Sequence, residues 1–147
     1  MQTNSETIIE ARSRDTESVI AVIELVPEPN KRKALLEVLR YVEERILPNP
    51  ECLGCAVFEA ADSTQRILYQ EQWRTAKGLH AHIQSGLYLS ILQAMELACE
   101  EPRISFHEVS RTRSMDLIEE LRGVGKPEET GDVEKRHRLG ILSNYDH

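Results

Sequence analysis

Apolar and polar positions along the chain fall into segments of two periods. Ser18 to Val26 (SVIAVIELV) is a β-branched run closed by Pro27-Glu28-Pro29, which a strand interior does not absorb, so it reads as a first strand. Asn30 then offers a helix N-cap. Leu35, Val38, Leu39, Val42 and Ile46 recur at spacings of three and four, leaving Lys33, Glu37, Arg40 and Glu44 for water, and this helix stops before Pro48-Asn49-Pro50. Leu53 to Ala60 and Arg66 to Trp73 flank the turn residues 61–65 and read as a hairpin. Thr75 can cap a second helical stretch with the apolar stripe Leu79, Ile83, Leu87, Ile91, Met95 and Ala98, which Ser85-Gly86 breaks in two. Arg103 to Arg111 supplies the last strand.

The order is βαββαβ, which predicts an α+β, ferredoxin-like antiparallel sheet with its helices on one face. The first strand carries Val19, Ala21, Ile23 and Leu25 on one side and Ile20, Val22 and Val26 on the other. A wet sheet face would alternate with polar residues instead. The second face therefore needs a dry cover, and the economical one is the same sheet of a second copy, giving a homodimeric α+β barrel. The predicted organisation is a flexible N-terminal arm over residues 1–17, the folded domain over 18–111, and a C-terminal extension over 112–147. That extension holds a short amphipathic helix near Ser114 to Arg122 and then a flexible tail.

Composition narrows the classes. The chain has 147 residues, 29% of them charged and 40% hydrophobic, the balance of one globular domain with tails. Its net charge of −7 argues against a nucleic-acid partner. No apolar run reaches the ~18 to 20 residues of a membrane span. Three cysteines without a secretory h-region argue against a disulfide scaffold and for a cytoplasmic address. Cys52 and Cys55, three apart on a strand, are expected on opposite faces, which speaks against a redox pair, and zinc would need two further ligands at a plausible spacing, with Cys99 alone on the far helix. His80 and His82, two apart on a helix, face away from each other, so no metal site is expected.

Candidate chemistry concentrates in residues 71 to 88. Alternation puts Ile67, Tyr69, Glu71 and Trp73 on one side of the third strand, while Leu79, His82 and Ile83 share a side of the following helix. The two surfaces can line one aromatic pocket with a proton-transfer histidine, suited to a flat phenolic ligand. Ordinary core packing of the same aromatics is the competing reading.

The first strand with its Pro-rich turn, the Cys52-Leu53 pair opening the second strand, Glu71-x-Trp73, and His82 nine residues after Trp73 resemble the antibiotic biosynthesis monooxygenase family over about residues 18 to 111. The resemblance implies the dimeric barrel and an enzyme family that includes cofactor-free oxygenases of polycyclic phenols and quinols. Trp73 matches the family's pocket tryptophan, Glu71 its strand-three acid and His82 its helix histidine. Leu87 stands where many members have a second histidine, Glu51 where they have a glycine, and Tyr69 where characterised oxygenases have an asparagine. The haem-degrading relatives' strand-one asparagine has no counterpart among Ile23, Glu24 and Leu25.

Two functions follow. One is a cofactor-independent monooxygenase of small aromatic or quinol substrates, with His82 as catalytic base, Trp73 as pocket wall, Tyr69 and Tyr88 binding substrate oxygens and Glu71 orienting a partner. The other is a non-catalytic small-molecule-binding or regulatory dimer of the same fold.

Overall fold

The computed structural model describes residues 17–123. The expected N-terminal arm, apart from Glu17, and the expected tail beyond Gly123 lie outside the described residues. The chain divides into two compact units, one ending at Ser110 and one beginning at Arg111.

The first unit holds β1 (Ser18–Leu25), α1 (Arg32–Ile46), β2 (Cys52–Glu59), β3 (Ile67–Trp73), α2 (Ala76–Ile83), α3 (Tyr88–Glu96) and β4 (Arg103–Val109). The sheet is four-stranded in the order β2-β3-β1-β4, and every pair is antiparallel. This is the α+β, ferredoxin-like arrangement that the order of elements predicts. In the second unit α4 (Met115–Leu121) follows Ser114, and Arg113 bonds to Asp116 and Glu120.

Strand alternation sorts the sheet into two faces. Val19, Ala21, Ile23 and Leu25 of β1, with Ile67, Tyr69, Glu71 and Trp73 of β3, are buried beneath the helices. Leu35, Leu39, Val42 and Ile46 of α1 and Ile91 and Ala94 of α3 complete that core. Each buried Val, Leu or Ile among them contributes about 1.5 to 3 kcal/mol on leaving water. On the opposite face Ile20, Val22 and Leu68 are half-buried and Phe58 is exposed, with Gln72 opposite Ile20 and Gln70 opposite Val22, so the sheet's second surface carries apolar side chains interleaved with polar ones.

Three local features depart from the sequence pattern. Asn30 is not the cap of α1: Lys31 occupies that position without a side-chain cap bond, because the Lys31 N–H turns back to the Glu28 carbonyl at 2.9 Å and starts the helix later. The stripe through residues 79–98 does not run straight. α2 ends at Ile83 and α3 begins at Tyr88, so a spacing of four no longer holds across the break; Ile83 is exposed and His82 is buried. The cysteines also depart, since Cys52 pairs with Trp73 and Cys55 with Glu71 across a β-bulge. The extra residue gives both cysteines the face of Glu71 and Trp73, where alternation without a bulge would oppose them.

Thr75 caps α2 as its position suggests. Its Oγ1 accepts from the Gly78 N–H at 3.0 Å and donates to Glu51 Oε2 at 3.3 Å. Gly78 suits this place because a Cβ would lie 3.0 Å from the Glu51 Cβ. Loss of such a cap costs about 1 kcal/mol. A Thr75→Ala protein is expected to lose that amount in urea denaturation, with faster amide exchange at Gly78.

Candidate functional site

The site is built from one strand and the helix after it. Because β3 alternates strictly, Tyr69, Glu71 and Trp73 rise side by side toward the helices. Glu71 is the middle member, opposite Ala21 of β1 and Cys55 of β2, which places a carboxylate at the centre of the covered face. It is 1% exposed. A carboxylate taken so far from water has to find donors, or it costs several kcal/mol.

Three donors meet it. The Tyr69 hydroxyl donates to Oε2 at 2.6 Å, the Trp73 indole N–H donates to Oε1 at 3.1 Å, and His82 Nε2 lies 2.8 Å from Oε2. The His82 ring also stacks on Trp73, with centroids 4.8 Å apart and planes at 26°, and meets the Tyr88 ring edge-on at 5.3 Å. The strand and the helix are thus joined through a polar contact and an aromatic one at the same residue.

The network is asymmetric in what remains free. Tyr69, Glu71 and Trp73 are spent on one another and are sealed in the core. His82 gives Nε2 to Glu71, and Nδ1 has no protein partner among the described residues. No fully buried side-chain nitrogen or oxygen there lacks a partner, so Nδ1 is where the ring reaches solvent. The Tyr88 hydroxyl is likewise without a protein partner among the described residues.

Electrostatics keep the surrounding groups protonated. Burial, then the Glu71 charge, pushes the Tyr69 phenol far above its ordinary range, and burial raises Tyr88 in the same order of causes. Burial, against a hydrogen bond with Tyr69, pushes the Cys55 thiol up to about 12. Neither phenol can act as a base near neutrality. His82 is the member whose second ring nitrogen has no protein partner among the described residues, while its first faces Glu71.

All five residues singled out by sequence are accounted for: Tyr69, Glu71, Trp73 and His82 form one hydrogen-bonded cluster, and Tyr88 closes against His82 from α3. The Tyr69 hydroxyl faces Glu71 rather than an open pocket. Two residues outside the five border the site as well: Cys55, which the bulge carries beside Tyr69, and Glu51, which braces the start of α2. A CxxC opening a strand was the available signal for the first; nothing in the local pattern marked the second. Among the described residues no group of three or more His, Cys, Asp or Glu side chains is placed to hold a metal ion, and no helix is long and apolar enough to cross a membrane.

The sequence model of one family matches residues 18–94, more than half of the chain, from the first residue of β1 to Ala94 of α3. The chain belongs to the antibiotic biosynthesis monooxygenase family. Solved structures share its fold. A Nitrosomonas europaea protein provisionally named an antibiotic biosynthesis monooxygenase is 18% identical, with a TM-score of 0.58 over 65% of this chain and 92% of its own. A Caulobacter crescentus protein with the same provisional name gives 15% and 0.60 over 70% and 99%. A Mycobacterium tuberculosis protein gives 22% and 0.60 over 66% and 99%. At these identities the likeness is one of fold. No curated protein matches the chain.

Removing the carboxylate strands three donors in a dry core, and breaking a buried charged network typically costs about 3 to 5 kcal/mol. A Glu71→Ala protein is expected to lose stability on that scale in urea denaturation. Thiol chemistry gives a second check. The exposed Cys99 should react with a disulfide reagent at pH 8, whereas Cys55, whose thiolate forms only toward about 12, should stay silent until the protein unfolds. Because the folded-state value lies above the ordinary thiol value of 9.0, the stability gained from keeping Cys55 protonated is complete below pH 9 and lost as pH rises toward 12.

Proposed function

We propose that this member of the family is a cofactor-independent monooxygenase of small phenols or quinols, with His82 as its general base. The observation that carries the reading is the division of labour around Glu71. Three groups are used up in holding His82, and the two groups with unspent hydrogen-bonding capacity, His82 Nδ1 and the Tyr88 hydroxyl, sit on adjoining rings.

The chemistry asks little more of the protein. A phenol and dioxygen give a quinone and water: the ring carbon loses its hydrogen and gains one oxygen atom, and the other oxygen leaves as water. Electrons come from the substrate, so no external reductant is consumed. Deprotonation turns an electron-rich phenol or quinol into an electron donor strong enough to pass an electron to dioxygen. His82 Nδ1 takes that proton, Glu71 holds the ring in place and balances its charge, and Tyr88 hydrogen-bonds the phenolate oxygen. Trp73 walls the histidine from water and keeps its plane fixed.

In this reading the working unit is a homodimer in which two copies bury the sheet surface around Ile20, Val22, Leu68 and Phe58 against each other. The free state of Cys52, Cys55 and Cys99 supports a reducing, cytoplasmic setting. Sedimentation should find a dimer, and Val22→Glu should shift it toward monomer.

One observation favours the second reading, a non-catalytic binder or regulator. Tyr69, Glu71 and Trp73 are sealed and fully committed, so a ligand meets only the outer edge of the cluster. Oxygen uptake with a panel of quinols separates the two. The monooxygenase reading expects uptake that falls about 10²- to 10⁴-fold in His82→Ala while ligand still quenches Trp73 fluorescence. Uptake that is unchanged in that variant removes the base, and quenching without uptake establishes the regulator.

A further inference from the structure

The flank of α2 beside His82 borders a second feature. α2 packs over β1 and β3, and β4 lies beyond them at the edge of the sheet. Ala76, Leu79, His80 and Ile83 are spaced three, four and seven residues from the first, so they form one stripe along the helix. Opposite that stripe stand Val19 of β1 and Phe106 and Glu108 of β4, which share the covered face because Val19 pairs with Glu108 and Ala21 with Phe106. Together these residues line a groove of about 430 Å³. That volume lies within the ~300 to 1,000 Å³ typical of small-molecule sites.

Its lining is apolar with two exceptions, and these decide what fits. Glu108 is an acceptor without a protein partner among the described residues, and His80 is in the same condition. Phe106 is 48% exposed, so its ring offers a face to whatever enters. An anion entering the groove would meet the Glu108 carboxylate on a chain of net charge −7. A flat cation would find an apolar floor, an aromatic ring for its charge and a carboxylate at the end.

We propose that this groove binds a small planar aromatic cation. Its ring system lies between Phe106 and the Leu79–Ile83 stripe, and its protonated nitrogen is directed to Glu108, with His80 available for a further hydrogen bond. The site is distinct from the Glu71 cluster, so it goes beyond the monooxygenase reading and stands or falls without it. One rung of the sheet links them: Trp73, Val19 and Glu108 lie side by side on β3, β1 and β4. Two strand spacings separate the ends of that rung, about 10 Å.

Trp73 is the chain's one tryptophan, which makes that distance a readout. The experiment titrates the full chain with 9-aminoacridine, a planar cation, and in parallel with 1-anilinonaphthalene-8-sulfonate, a planar anion, following energy transfer from Trp73. Saturable transfer to the cation is expected, with much weaker binding of the anion. Glu108→Gln should weaken the cation's Kd about threefold and Glu108→Lys about tenfold, the range expected of one exposed charge pair made or reversed. Phe106→Ala should weaken it about tenfold through lost ring contact. Unaltered Trp73 emission in the dye-free variants shows that each has folded. Equal binding of the anion overturns the proposal, as does a Kd unmoved by both Glu108→Lys and Phe106→Ala. So does an absence of transfer in the unsubstituted chain, the result expected if a second copy covers the groove.

Discussion

The structure turns on a carboxylate that has been taken out of water. Glu71 sits in the middle of the helix-covered sheet face, where its nearest neighbours on that face are Tyr69 and Trp73 of its own strand, Ala21 of β1 and Cys55 of β2. Its presence there is tolerable only because three donors converge on two oxygens. Two come from its own strand at the same two-residue spacing, so strand geometry alone delivers them. The third, His82, has to be brought by a helix, and that requirement ties the position of α2 to the sheet. The Thr75 cap, the close approach of Glu51 at Gly78 and the stacking of His82 on Trp73 serve the same end, since each limits how far α2 can slide.

A network of this kind specifies geometry more than it adds stability. An apolar core of similar volume would hold the fold equally well, because the desolvation of Glu71 offsets much of what its hydrogen bonds return. What the network provides is a histidine with a defined ring plane and one defined nitrogen turned outward. That is a condition for proton transfer, where misplacement of a base by an ångström costs orders of magnitude in rate. The polar residues on this face are thus more readily explained by a task at His82 than by folding.

Much of this was legible in the order of residues, for reasons that differ from place to place. The alternation of Ile67, Tyr69, Glu71 and Trp73 determined one face of β3 because strand period depends on nothing outside the strand. The stripe Leu35, Leu39, Val42 and Ile46 did the same for α1. What stayed hidden depended on contacts between distant segments. The bulge that turns Cys52 and Cys55 to one side exists only in the pairing of β2 with β3. Ile83 fits an apolar helical stripe by sequence, yet the break before Tyr88 lets α2 rotate His82 inward and leave Ile83 at the surface. The Glu71 hydrogen bonds were equally out of reach, since facing side chains can line a pocket or close on one another and period does not distinguish these outcomes.

The division between sheet and helices also bears on how such a site varies. The groups that hold His82 are buried on β3, and changing them disturbs the core. The groups that face outward, Nδ1 of His82 and the hydroxyl of Tyr88, stand on either side of the segment between α2 and α3. That segment carries Ser85, whose hydroxyl bonds the His82 carbonyl at 2.6 Å, and half-buried Leu87. A replacement there reshapes what can approach the histidine while leaving the carboxylate and its donors in place. Under the proposed function, the groups that hold His82 are separate from those a substrate would meet, and Tyr88, whose ring contacts His82, rather than Tyr69, is the position that bears on selectivity.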